Sequence, residues 1–168
     1  MILYHGSNID FDTINIKIDN HFKDFGEGFY LTPDVNTAKR MALKKARLFG
    51  GNASLIEYEF NEDALKDENL NVKIFPERAT EEWAEFVYSN RDKNKDISLC
   101  HGYDIIVGPI ANDGVAYLLD RYQEGTILLK ELTTELQDKY LDQQYYFGSD
   151  LSVMFLKKSN RRNYEQLV

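Results

Sequence analysis

Phe25-Gly26-Glu27-Gly28-Phe29-Tyr30-Leu31-Thr32 decides how this chain is read. Two glycines, one residue apart, run into a short aromatic and aliphatic strand. The strand stops at Thr32-Pro33-Asp34, where a helix begins. Alternation puts Phe29 and Leu31 on one face and Tyr30 on the other, and glycine lets backbone approach a neighbour closely. The expectation is that Phe29 and Leu31 enter the core while Tyr30 floors a pocket. Taken alone, a glycine pair ahead of a strand is a turn.

Upstream, Ile2 to Tyr4 is a short apolar strand running into His5-Gly6-Ser7, followed by some twenty Asp- and Asn-rich residues without clear periodicity. Downstream, Thr32 as N-cap, Pro33 at the first helical position and Asp34 in the first turn predict a helix. Val35, Ala38, Met41, Ala42 and Ala46 give it an apolar stripe, and Gly50-Gly51 ends it. Residues 54–60 alternate as a half-buried strand, with Ile56, Tyr58 and Phe60 inward. A short strand is expected over 71–75. Thr80 caps a helix carrying Trp83, Phe86 and Val87, and 90–95 is a charged loop. Tyr103 to Pro109 is the most apolar strand and the expected centre of a sheet. Its exit, Ala111-Asn112-Asp113-Gly114, leads to helices over about 115–123 and 126–141. A last strand at 143–147 precedes a closing helix from Ser149-Asp150 to about Lys157. Strands and helices without a regular βαβ rhythm predict an α+β fold, one domain over residues 1–168.

The chain has 168 residues, 43% hydrophobic and 13% aromatic, enough to bury a real core. Its net charge of −8 disfavours general binding to phosphate backbones or anionic membranes. Two basic clusters stand against that balance: Lys39, Arg40, Lys44, Lys45 and Arg47 on one helix, and Lys157, Lys158, Arg161 and Arg162 near the end. Both read as solvated faces. The N-terminus lacks the apolar run of a secretion or membrane signal, and a lone cysteine suits a cytoplasmic protein.

Most sites of known chemistry are excluded. His5, His21, His101 and Cys100 show no zinc spacing, so no metal is expected. There is no phosphate loop and no nucleophile elbow. Adjacent Cys100 and His101 point apart on extended chain, which argues against a nucleophile pair. What remains is His5-Gly6-Ser7 after the first strand, Gly26 to Tyr30 at the second, and Gln143-Gln144-Tyr145-Tyr146-Phe147 on the last.

These three segments, in this order, resemble the ADP-ribosyltransferase fold in its diphtheria-toxin-like, His-Tyr-Glu branch. More closely, five stretches resemble the bacterial and phage DUF3990 family: Leu3 to Ser7, Asp24 to Thr32, Trp83 to Arg91, Tyr103 to Asp113 and Gln144 to Leu156. The resemblance implies a split β-sheet core, two packed antiparallel or mixed sheets with surrounding helices. It also implies an NAD-dependent mono-ADP-ribosyltransferase of toxin type, with NAD as substrate, a protein or nucleic-acid acceptor and a cognate antitoxin as partner. His5 would hydrogen-bond the ribose beside nicotinamide, Gly6 would hold the carboxamide, and Tyr30 would stack on the ring. Ser7, Gly28 and Phe29 would complete the NAD contacts, and Asn112-Asp113 would form a rim. At the third position, where catalytic members carry Glu, Tyr145 and Phe147 facing the core would leave Gln144 on the other side. An amide accepts and donates but supplies neither a base nor a full negative charge. A catalytically silent NAD- or ADP-ribose-binding module and an NAD glycohydrolase are the alternative readings.

Overall fold

The computed structural model describes residues 1–16, 22–92, 101–137 and 139–163. The elements are β1 (Ile2–Ser7), β2 (Phe29–Leu31), α1 (Val35–Phe49), β3 (Ser54–Phe60), β4 (Val72–Ile74), α2 (Glu81–Arg91), β5 (Ile105–Pro109), α3 (Asp113–Gln123), α4 (Leu129–Gln137), β6 (Gln143–Phe147), α5 (Asp150–Val153) and β7 (Leu156–Asn163). A 3₁₀ turn, Glu62–Lys66, follows β3. The fold is α+β, with two small sheets. One is ordered β1-β3-β7 and antiparallel throughout. The other is ordered β2-β6-β5-β4, antiparallel except where β4 runs parallel to β5. Among the described residues no helix is long and apolar enough to cross a membrane.

Period-2 alternation sorts the core. Leu3, Ile56, Tyr58 and Phe60 of the first sheet meet Phe29, Leu31, Ile105 and Phe147 of the second in one cluster between the sheets. The far side of the second sheet, with Ile106 and Tyr146, is covered by Trp83 and Val87 of α2, Val115 and Leu118 of α3 and Leu132 and Leu136 of α4. The far side of the first sheet carries α1, through Ala38 and Ala42 against Leu55. Small residues on that helix stripe let its backbone sit close to the strands. β5 lies inside its sheet, as its apolarity predicts.

Three boundaries differ from expectation. α1 starts at Val35, because the Asp34 carboxylate, not Thr32, caps it, accepting from the backbone N–H of Asn36 and Thr37. Thr32 instead donates its hydroxyl to Gln143 O at 2.8 Å and ties β2 to the start of β6. The helix expected at 126–141 covers only Leu129–Gln137, since Thr126 bonds back to Arg121 O and the Leu128 N–H is capped by Glu131. The closing helix is one turn long. Ser149 and Ser152 form a capping box, and from Leu156 the chain extends as β7 along the edge of β3. An unpaired edge beside β3 outweighs weak helical periodicity. Of the expected loop at 90–95, Asn90 and Arg91 complete α2, and 93–95 lie outside the described residues.

Candidate functional site

Among the described residues, the two sheets share one hydrogen-bonded rung. Tyr4 and Thr32 exchange both backbone hydrogen bonds, at 2.8 and 3.0 Å, in an isolated antiparallel bridge. In a continuous ladder the next pair with backbone groups facing each other would be Gly6 and Tyr30. The pairing stops before them, and β1 and β2 part. Each strand carbonyl at the split is taken by a side chain instead. Tyr30 O accepts from His5 Nδ1 at 2.8 Å, and Gly6 O accepts from Lys45 Nζ at 2.9 Å. The family-implied residues His5, Gly6 and Tyr30 therefore meet at one place, the mouth of the split.

The state of His5 follows from its partners. Tyr30 O accepts, so Nδ1 carries the proton and Nε2 is a bare acceptor. The ring stacks on Phe29 at 4.7 Å and meets Phe11 edge-on at 5.6 Å. Burial first, then the Lys45 ammonium and, more weakly, Lys23, push its pKa down to about 3. The ring is therefore imidazole, not imidazolium, at neutral pH. Its open nitrogen suits the O–H of a ribose.

Tyr30 places its ring on the other face of β2. Phe25 stacks near it at 6.4 Å, Tyr146 meets it edge-on at 5.3 Å, and Lys23 Nζ lies 5.1 Å from its centroid. Its hydroxyl donates to Gly26 O at 2.6 Å and accepts from Phe25 N at 3.0 Å, which folds the glycine-rich loop back over the ring. Gly26 adopts φ +79°. Burial, then the Asp24 carboxylate, raise the Tyr30 pKa well above that of a free phenol, so this hydroxyl is a hydrogen-bond donor, not a base.

Glycine is demanded at 6 and 28 by packing. A Cβ on Gly6 would fall 2.8 Å from Ala42 N and closer still to Ala38 O, both backbone atoms of α1. One on Gly28 would strike the Tyr146 ring and stand 2.9 Å from Phe147 O. Ser7 is buried and its Oγ accepts from Ile9 N, a turn contact. Asn112 caps α3 by accepting from Val115 N, and Asp113 pairs with Lys44 at 3.5 Å. Neither residue is aimed at the split by these contacts.

Gln144 lies on the face opposite Phe147, as alternation predicts, and that face is buried as well: Gln144 is 6% and Tyr146 4% exposed. The second sheet is covered on both sides, so alternation alone does not lead outward. The Gln144 amide donates to Asp24 Oδ2 at 2.8 Å and to Pro109 O at 3.1 Å, which leaves only its carbonyl oxygen to meet a ligand. Asp24, itself buried, is the hub of this network. It also accepts from Ala111 N at 2.8 Å and pairs with Arg91, whose Nε stands 2.9 Å from Oδ1. Arg91 donates in turn to Ala111 O at 3.0 Å.

Asp24 and Arg91 each bound a stretch that carries the family resemblance but stand 67 residues apart, so sequence reading does not pair them. Lys45 was hidden among the basic residues of α1, which are not all alike. Arg40 pairs with Asp142 and Lys44 with Asp113, whereas Lys45 turns inward to Gly6. His101 donates Nε2–H to Phe25 O while its Nδ1 accepts from Tyr103 N, a structural role. Cys100 and His21 lie outside the described residues. Among the described residues, no three His, Cys, Asp or Glu side chains gather as a metal-binding group.

No curated protein and no solved structure matches the chain. A family model described as "Protein of unknown function (DUF3990)" matches residues 1–157, nearly the full length with all three segments, and the chain belongs to that family.

Proposed function

We propose that the protein is an NAD-dependent mono-ADP-ribosyltransferase acting on a macromolecular acceptor, with the β1–β2 split as its nicotinamide-ribose site. The observation that carries this reading is the convergence of His5, Gly6 and Tyr30 where two sheets part after a single rung. Strands that part leave backbone groups outside a ladder, and with the two carbonyls taken by His5 and Lys45 it is a backbone N–H that would meet the carbonyl end of a carboxamide. The bare Nε2 of His5 accepts from the ribose hydroxyl and orients C1′. Tyr30 supplies an aromatic wall, worth about 0.5–1.5 kcal/mol beyond its buried area.

Cleavage of the nicotinamide–ribose bond builds positive charge on the sugar. Nicotinamide leaves with the bonding electrons, and an acceptor oxygen or nitrogen attacks C1′ and loses its proton. Gln144 contributes an amide dipole to the developing cation, oriented by the hydrogen bonds from its nitrogen to Asp24 and Pro109. A toxin-type activity with a cognate antitoxin belongs to this reading on resemblance alone.

One observation favours a second reading, a silent NAD- or ADP-ribose-binding module. Gln144 is a neutral group whose N–H donors serve the fold, and the nearby carboxylate of Asp24 is already paired with Arg91. Incubation of the protein with NAD and a bacterial lysate separates the two. Transfer predicts released nicotinamide together with ADP-ribose adducts by mass spectrometry, both abolished in His5→Ala and Tyr30→Ala variants that keep their fold. NAD binding with neither product establishes the module, and nicotinamide without adducts establishes a glycohydrolase.

A further inference from the structure

We infer that Lys23 and Lys45 form an anion site at the mouth of the β1–β2 split, built to take the diphosphate of a dinucleotide. The inference rests on the proposed use of the split but on different residues. Lys45 projects from α1 to Gly6 O, and Lys23, on the loop before β2, lies over the Tyr30 ring. Both are half-buried. Neither ion-pairs with a carboxylate among the described residues; Gly6 O is the sole hydrogen-bond partner of Lys45, and the Tyr30 face is the contact of Lys23.

Such an arrangement is costly to the folded protein. A desolvated ammonium ordinarily finds an acid, and this chain carries 28 Asp and Glu against 20 Lys and Arg. Acids are placed against the outward basic residues of α1, at Asp142 and Asp113, but not against Lys45. The two ammonium groups also feel each other. Burial first, then Lys23, bring Lys45 down to about 8, and burial lowers Lys23 as well, with Glu27 the acid that partly offsets it. Both act on His5. Positive charge with no ion-paired carboxylate among the described residues therefore converges on the residue assigned to the ribose, one sugar away from where a diphosphate would lie. A multiply charged anion removes the repulsion and restores both lysines to full protonation. A single carboxylate or a neutral nucleoside does so less well.

Binding of ADP-ribose and of inorganic pyrophosphate, followed by calorimetry at low and at physiological salt, tests the site without requiring turnover. Wild type is expected to bind both, more weakly as salt rises, and Lys45→Met and Lys23→Met to weaken ADP-ribose at least tenfold. Because Lys23→Met removes a desolvated ammonium without breaking a hydrogen bond of its side chain among the described residues, that variant is expected to melt no lower than wild type without ligand. Lys45→Arg is expected to keep most of the affinity, which guards against a packing effect. Unchanged ADP-ribose affinity in both Met variants overturns the anion site even if NAD turnover is intact. Lysine-dependent ADP-ribose binding in a protein that never releases nicotinamide upholds the anion site while the transferase reading fails.

Discussion

Replacing Gly6 by Ala separates two explanations of the same residue. The resemblance assigns Gly6 to the nicotinamide carboxamide, whereas the structure shows α1 packed directly on it. The added methyl would meet Ala38 C at 3.0 Å and Ala42 N at 2.8 Å, with Ala38 O nearer still, where ordinary contact begins near 3.4 Å. All three are backbone atoms of a helix, so no side chain can swing aside, and α1 must retreat by more than half an ångström. That movement opens the Ala38, Ala42 and Leu55 cluster and draws Lys45 off Gly6 O. Overpacking of this kind costs about 1–3 kcal/mol, and rigid backbone on the receiving side puts Gly6→Ala at the upper end. For a domain of this size about 3 kcal/mol lowers Tm by about 6–12 °C. Differential scanning fluorimetry checks it against a Gly114→Ala control, whose methyl would meet only Asn112 Oδ1 at 3.5 Å. A Gly6→Ala protein melting within about 1 °C of wild type refutes the packing argument. If it also loses NAD affinity, the glycine serves the ligand and not the helix.

Three more outcomes follow from the site. Gln144→Glu supplies the carboxylate that the ADP-ribosyltransferase resemblance implies at this position but sets it against Asp24 at 2.8 Å, so one of the two carboxyls must take a raised pKa. A raised carboxyl pKa stabilises the fold below its unfolded value and loses that contribution as pH climbs. The variant should therefore lose urea stability relative to wild type between about pH 5 and pH 8, and a pH-independent difference counts against the geometry. Arg91→Met leaves Asp24 buried without its cation and should cost about 3–5 kcal/mol in urea unfolding, with part recovered in the Arg91→Met, Asp24→Asn double variant; an unmoved midpoint shows that the pair is not buried as described. His5 has a folded pKa depressed from 6.5 to about 3, so the unfolded chain takes up a proton that the native state refuses. Stability falls from about pH 6.5 down to about pH 3, at up to about 1.4 kcal/mol per unit. His5→Gln should flatten that slope in acid titration, and equal slopes would contradict the assignment.

Local chemistry was legible wherever it was strong. Gln143 to Phe147, the alternation of Ile56, Tyr58 and Phe60, and the Thr80 cap on α2 all lie where residue pattern puts them. Phe29 and Leu31 are buried as alternation predicts. Failures occur where a long-range partner outweighs a local signal. The closing helix expected to run to about Lys157 stops at Val153, and the chain from Leu156 extends because β3 offers an edge. Gln144 lies on the face that alternation gives it, but the burial of that face comes from α2, α3 and α4, which cover the second side of its sheet. Within the candidate site, His5, Gly6 and Tyr30 were readable by their order along the chain. Asp24, Arg91, Lys23 and Lys45 were not, since what distinguishes them is what they touch across the fold, and the basic run on α1 gives no sign of which lysine turns inward.

The single rung between the sheets also constrains synthesis. Phe29, Tyr30 and Leu31 pair with residues 145–147, and Gln144 reaches Asp24 across 120 positions. Until β6 leaves the ribosome, β2 has no partner on that side and the wall of the split is unmade. Contacts this distant are slow to close, and an N-terminal fragment with an open strand edge is prone to wrong association. A nascent chain therefore carries His5 and Tyr30 from early on but holds no assembled candidate site until residues 143–147 have emerged.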